Sequence, residues 1–206
     1  MSLMDKTLST PIPDKLLSLI AQLYYTHCSA EFPPAYEITF ACYGSRLYGH
    51  ESGSEDRRHN LPGAPCLPAC RKRVEAIRSR LREPVFLLTP PYRRSVLDAI
   101  IQTSWFRGWI PLAVHVRSNH VHAVVHGLVR PERIMNDLKS YATRALKERH
   151  GVNRRRTWAR HGSNPYLWTL EDVETTVRYV LYGQGRPMET YFATELPVRR
   201  IDRKRE

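Results

Sequence analysis

Two histidines separated by one residue, His120 and His122, are the side chains whose type and spacing speak most directly of chemistry in this 206-residue sequence. They stand in the run Arg117-Ser118-Asn119-His120-Val121-His122-Ala123-Val124-Val125, at the end of the most strand-like stretch of the chain, Trp109 to His126. Val114, Val116, Val121, Val124 and Val125 put β-branched side chains on both sides of a polar break there, which predicts a hairpin. Side chains alternate across a strand with period two, so the two imidazoles leave the same face. A pair of neutral imidazoles can hold one divalent ion and leave other coordination positions for a carboxylate, water or a phosphate oxygen. The competing reading is one solvated histidine and one ordinary hydrogen bond.

A second reactive group is expected one element later. Pro131 opens a helix that Gly151 ends, and Ile134, Leu138, Ala142 and Ala145 form one stripe along it at about 100° per residue. Tyr141 falls at the edge of that stripe, so its ring is expected to look toward the sheet, with Asp137 and Arg144 on its side of the helix. A tyrosine hydroxyl is a weak nucleophile at its free pKa of about 10, and a metal ion that polarises a phosphate would make its attack feasible. A boundary tyrosine with a packed ring and a wet hydroxyl is the alternative.

The rest of the chain must position these groups for a partner, and its charge says which kind. Thirty-two Lys and Arg against 20 Asp and Glu give a net charge of +12, which points to a polyanion, with nucleic acid first. A basic membrane-surface protein would show an amphipathic helix with a clean apolar side, and none is found. The longest apolar run, Leu16 to Tyr25, is broken by Ser18 and Gln22 and falls well short of the roughly 20 residues that span a bilayer. No signal peptide is visible. The cysteines, Cys28, Cys42, Cys66 and Cys70, are irregularly spaced, which fits a reducing cytoplasm better than a disulfide scaffold.

In chain order, Thr10-Pro11-Ile12-Pro13-Asp14 opens a helix to about His27, and Tyr36 to Tyr43 alternates as a strand. Gly44 to Pro68 is irregular. Its His50 and His59, with Cys66 and Cys70, could be assembled into a zinc site, although the spacing matches no familiar ligand pattern. Cys70 to Arg82 is a basic helix, and Val85 to Thr89 a short apolar run. Pro90-Pro91 opens a helix that buries Val96, Leu97, Ile100, Ile101 and Trp105 and stops at Gly108. Strand, helix, strand, strand, helix predicts an α+β fold: a ferredoxin-like antiparallel sheet with helices mainly on one face and extra helices at both termini. Arg154-Arg155-Arg156-Thr157-Trp158 interleaves charge with an aromatic, as a single-strand groove would, or is a solvated loop. Tyr166-Leu167-Trp168 reads as the last strand, and Thr169 to Asp172 caps a helix holding Val173, Val177, Val180 and Leu181. One domain over 1–196, with its core at about 36–185, and a mobile basic tail over 197–206 complete the expected organisation.

Asn119-His120-Val121-His122, followed a helix later by Lys139-Ser140-Tyr141, resembles the HUH and nucleophile motifs of the single-tyrosine HUH transposases, and among these the REP-associated tyrosine transposases. Thr39 to Gly49 is similar to the first-strand segment of that group, and Tyr179-Val180-Leu181-Tyr182-Gly183-Gln184-Gly185 to its closing helix and turn. The resemblance implies a cytoplasmic, nucleoid-associated prokaryotic enzyme that nicks and rejoins single-stranded DNA near hairpins. His120 and His122 would hold Mg²⁺ or Mn²⁺, and Tyr141 would form a phosphotyrosine. Arg117, Asn119, Lys139, Arg144, Arg154, Arg155, Arg156 and Trp158 would contact DNA. The position expected to hold a third ligand is Ala145, which cannot coordinate; His115, Asp137 and, more weakly, Gln184 are the substitutes. A homodimer with a shared site and a domesticated, non-catalytic binder of hairpin DNA or RNA are the open alternatives.

Overall fold

The computed structural model describes residues 10–27, 31–47 and 69–195. His50, His59 and Cys66 of the zinc alternative, and the basic tail from Pro197, lie outside the described residues. The elements in order are α1 (Asp14–His27), β1 (Ala35–Cys42), α2 (Arg71–Arg78), α3 (Pro90–Arg107), β2 (Ile110–Val116), β3 (His120–His126), α4 (Pro131–His150), β4 (Trp158–Ser163), β5 (Tyr166–Leu167), α5 (Leu170–Tyr182) and β6 (Glu189–Phe192). The fold is α+β. Its strands form one antiparallel sheet in the order β4-β1-β3-β2-β6, with β5 also paired to β1.

Helix boundaries follow the expected chemistry. Prolines occupy the first turns of α3 and α4, where a missing N–H costs nothing, and Gly108 and Gly151 end them. Thr169 and Asp172 form a reciprocal capping box at the start of α5. The expected hairpin is present, with Arg117, Ser118 and Asn119 as its turn and His115 paired opposite His122.

Alternation divides the sheet into two faces. Ile38 and Phe40 of β1, Val114 and Val116 of β2, and Val121, Ala123 and Val125 of β3 lie under α3 and α4, together with Ile134, Leu138, Ala142 and Leu146. On the other face, Val124 and Leu112 pack with Leu16, Ile20 and Leu23 of α1 and Val173, Val177 and Val180 of α5. The terminal helices thus cover the second face of the sheet, which the sequence alone had placed them beside without assigning it to them.

Val85 to Thr89, strand-like or core-filling from its sequence, fills the core without forming a regular strand: Phe86 and Leu88 are buried, and their N–H groups donate to Tyr43 O and Ser118 O. The basic stretch Arg154 to Trp158 leads into β4, and neither β4 nor β6 was expected from the sequence. Neither strand carries the β-branched run that marks β2 and β3; each is held as an edge by the backbone of its neighbour.

Edge strand β4 approaches the core closely at Gly162. A Cβ there would overlap the Thr39 carbonyl oxygen and stand 2.7 Å from Met135 Sδ. Gly162→Ala is therefore expected to displace β4 and lower the urea midpoint by an amount equivalent to about 1–3 kcal/mol, read in an equilibrium unfolding curve.

His115, fully buried, joins α5 to the sheet. Its Nδ1–H donates to Val180 O at 3.0 Å, one of the last carbonyls of α5, which have no intrahelical partner. Its Nε2 accepts from Met188 N–H at 3.1 Å, on the return to β6. Burial, the largest cause, pushes its pKa down to about 4, opposed by the bond to Val180 and reinforced by the charges of Arg117 and His122. An unfolded histidine takes up its proton near pH 6.5 and the native one does not, so stability falls as pH drops from about 6.5 toward 4. The urea midpoint is expected to decline over this window, with a shallower slope in His115→Asn; equal slopes would refute the clasp.

Candidate active site

The alternation that buries Val121, Ala123 and Val125 under α3 and α4 turns His120 and His122 toward the opposite face, beside the C-terminal end of α5. Their rings lie 4.8 Å apart, edge to face. Each is oriented through Nδ1. His122 Nδ1 is 3.1 Å from Glu37 Oε1 and 2.8 Å from Thr39 Oγ1, whose own hydroxyl donates to the same carboxylate at 3.1 Å. A carboxylate oxygen accepts, so in the neutral ring Nδ1 carries the proton and Nε2 keeps its lone pair. His120 Nδ1 donates to Asn119 Oδ1 at 2.7 Å, which leaves its Nε2 unprotonated too.

His120 Nε2 faces Gln184 Oε1 at 3.5 Å, while Gln184 Nε2 is buried without a partner among the described residues. Two acceptors facing one another repel. A half-turn of the amide, or a cation between the two, relieves the conflict. A proton on His120 does not supply that cation at neutral pH: burial first, then the charges of His122 and Arg46, push its pKa down to about 3. Two imidazole nitrogens and an amide oxygen therefore fit a divalent ion, and the nitrogens favour Mn²⁺ over the harder Mg²⁺. Among the described residues, no group of three His, Cys, Asp or Glu could hold a metal, so an ion held by this imidazole pair would need the Gln184 amide oxygen or non-protein oxygens to complete its ligands.

Among the described residues, the tyrosine beside the pair is Tyr179. Its ring centroid stands 5.8 Å from that of His122, and it is 43% exposed. Gly183 N–H donates to Tyr179 O at 2.8 Å, and a Cβ at Gly183 would lie 2.6 Å from Tyr179 Cδ2, so only glycine lets the ring rest there. Arg117, in the hairpin turn, donates to Arg186 O at 3.2 Å and interacts electrostatically with Tyr179.

Tyr141 is elsewhere. Helix α4 packs on the Val121/Ala123/Val125 face, so the sheet separates Tyr141 from both histidines, and its ring lies between Arg144, 4.9 Å away, and Arg107, 5.9 Å away. The expectation that this ring meets the imidazole pair is overturned, and the reason is alternation: the face apolar enough to bury a helix stripe is the one the histidines do not occupy. Two of the three substitute ligands fall as well. Asp137 is bound to Arg107 at 2.9 Å on the α4 side, and both His115 nitrogens are already engaged.

The expected DNA contacts divide. Arg117 and Asn119 are at the site, Asn119 through a side-chain hydrogen bond and with no positive φ. Lys139 and Arg144 are on the α4 side; the Lys139 ammonium donates to Ala159 O and His161 O. Arg154 is half-buried and already engaged, paired with Glu83 at 3.3 Å and set 4.8 Å over the Phe86 ring. Trp158 is held in place: Nε1 donates to Lys139 O and Thr143 Oγ1, and its ring is perpendicular to that of Phe40 at 4.9 Å. Lys139, Arg155, Arg156 and Trp158 together line an open cleft.

Glu37, Thr39 and Tyr179 were missed as site residues. A signal existed: Glu37 and Thr39 alternate with Tyr36, Ile38 and Phe40, placing two polar side chains on one face of a central strand.

No family model matches this sequence, and no curated protein matches it. One solved structure, of a REP-associated tyrosine transposase bound to a REP hairpin, is similar at a TM-score of 0.43 and 15% identity, over 72% of this chain and 65% of that one. The chain thus spans a little under two thirds of the length of that protein, and the likeness is too low to assign it to a family.

Proposed function

We propose that this protein is a metal-dependent single-stranded DNA endonuclease and strand transferase acting near hairpins, with Tyr179 as nucleophile and His120, His122 and Gln184 as metal ligands. The observation that carries the reading is the convergence, on one face, of a tyrosine and two imidazoles whose Nδ1 atoms are held by protein acceptors, which leaves the Nε2 lone pair of each neutral ring for a ligand. The motif resemblance supports the same chemistry and supplies the hairpin. Replacing Tyr141 by Tyr179 also removes the difficulty at Ala145, because Gln184 follows Tyr179 by little more than one helical turn.

A bound Mg²⁺ or Mn²⁺ would polarise the scissile phosphate and offset its charge. The chain does the rest. Asn119 and the Glu37–Thr39 pair fix both imidazoles in the ligating tautomer. Arg117 stands where a developing phenolate needs positive charge, and Arg46 adds to the field around His120. As Tyr179 Oη forms its bond to phosphorus and loses the phenolic proton, the bond to the 3′ oxygen breaks and that oxygen takes up a proton. The 5′ phosphate remains on Tyr179. Attack by a 3′ hydroxyl reverses the exchange, so no external energy source is needed.

Labelled hairpin DNA with single-stranded flanks, incubated with Mn²⁺ and resolved on a denaturing gel, tests this. A covalent adduct is expected, reduced by about 10³-fold or more in Tyr179→Phe and kept in Tyr141→Phe. Loss in the second variant and not the first would restore the sequence-based assignment; binding without adduct in the unaltered protein would favour a non-catalytic hairpin binder. Glu37→Gln, which weakens the hold on the His122 tautomer, is expected to reduce Mn²⁺ affinity by about 10–100-fold in a calorimetric titration. Unchanged affinity would remove Glu37 from the site.

A further inference from the structure

We infer that the cleft between α4 and edge strand β4, across the sheet from His120, His122 and Tyr179, is a second, non-catalytic site that grips the phosphodiester backbone of DNA. The cleft has a volume of about 780 Å³, and Arg82, Lys139, Arg155, Arg156 and Arg160 line it together with Tyr43. No acidic residue is among its described lining, and none of those four arginines is in an ion pair among the described residues. Five cations gathered without counter-charge repel one another, and a polyanion is what turns that repulsion into binding.

Several of these groups are fixed in place. The Arg156 guanidinium stands 5.7 Å over the Tyr43 ring, and Tyr43 Oη accepts Arg82 N–H at 3.1 Å. Lys139 is anchored by two β4 carbonyls, and burial lowers the pKa of its ammonium, the cost of holding a cation there without an anion beside it. Arg155 and Arg160 are exposed at the mouth.

The chemistry of the lining selects the partner. Pockets for small organic ligands are mainly apolar with a few polar groups, and here charge dominates. A membrane surface is engaged by basic residues set around an apolar face, whereas these line a concavity. Repeated phosphates along a strand suit a row of arginines. Because the cleft shares no residue with the Tyr179 site, a DNA molecule long enough to reach both would be held on one side of the sheet and cut on the other.

Fluorescence anisotropy of a labelled DNA hairpin with single-stranded flanks, in EDTA across a salt series, tests the site independently of any nicking. Arg155→Ala/Arg160→Ala is expected to weaken binding about tenfold or more near 0.1 M salt and to reduce the slope of log affinity against log salt by about 2. Both side chains are exposed, so packing is untouched, and Arg155→Lys/Arg160→Lys is expected to keep the slope. An unchanged affinity and slope in the alanine variant would overturn the inference. So would a loss confined to sedimentation with phosphatidylserine vesicles while DNA binding is kept.

Discussion

Three of the imidazoles on one face of the sheet, His115, His120 and His122, each donate to a fixed acceptor through Nδ1, and the organisation of that face depends on it. His115 donates to the end of α5, His120 to the amide of Asn119, and His122 to Glu37 and Thr39. The same bond type yields different outcomes. In His115 the second nitrogen is spent on Met188 N–H, so the ring is a structural clasp. In His120 and His122 no backbone N–H among the described residues is spent on Nε2, which leaves those nitrogens for a ligand. Burial keeps His115 and His120 neutral, and neutrality is what a ligating nitrogen requires.

The clasp and the candidate ligands are coupled through α5. That helix brings Tyr179 beside His122 and Gln184 beside His120, and its C-terminal turn is tied to β2 by the His115–Val180 bond. Val173, Val177, Val180 and Leu181 bury its opposite stripe, so its position is set by packing along its length and by a hydrogen bond at its end. Gly183 permits the final adjustment, because a larger residue would collide with the Tyr179 ring.

The sheet separates two kinds of work. Under α3 and α4 the larger apolar core is built, and the cations displaced to the margin of α4 and β4 border an acid-free cleft. On the other face, α1 and α5 pack on the apolar part of the sheet, and His120, His122 and Tyr179 lie toward the hairpin turn. Arginine serves both regions differently. Arg154 is consumed by Glu83 and Phe86, whereas Arg155 beside it points its charge into the cleft, which shows how little a basic run in sequence says about which charges are free.

Local chemistry made much of this protein legible. Prolines and glycines at helix ends, the Thr169–Asp172 box, the β-branched run around the hairpin and the one-residue spacing of His120 and His122 each encode their outcome within a few residues, and each is found as expected. Edge strands β4 and β6 were not legible, because a neighbour's backbone rather than their own side chains makes them strands. The choice between Tyr141 and Tyr179 was decided only by tertiary structure. Alternation says that two histidines share a face, but which helix covers that face depends on long-range packing: α4 needed the apolar side made by Val121, Ala123 and Val125, and α5, closing over the polar side, brought its own tyrosine to the imidazoles.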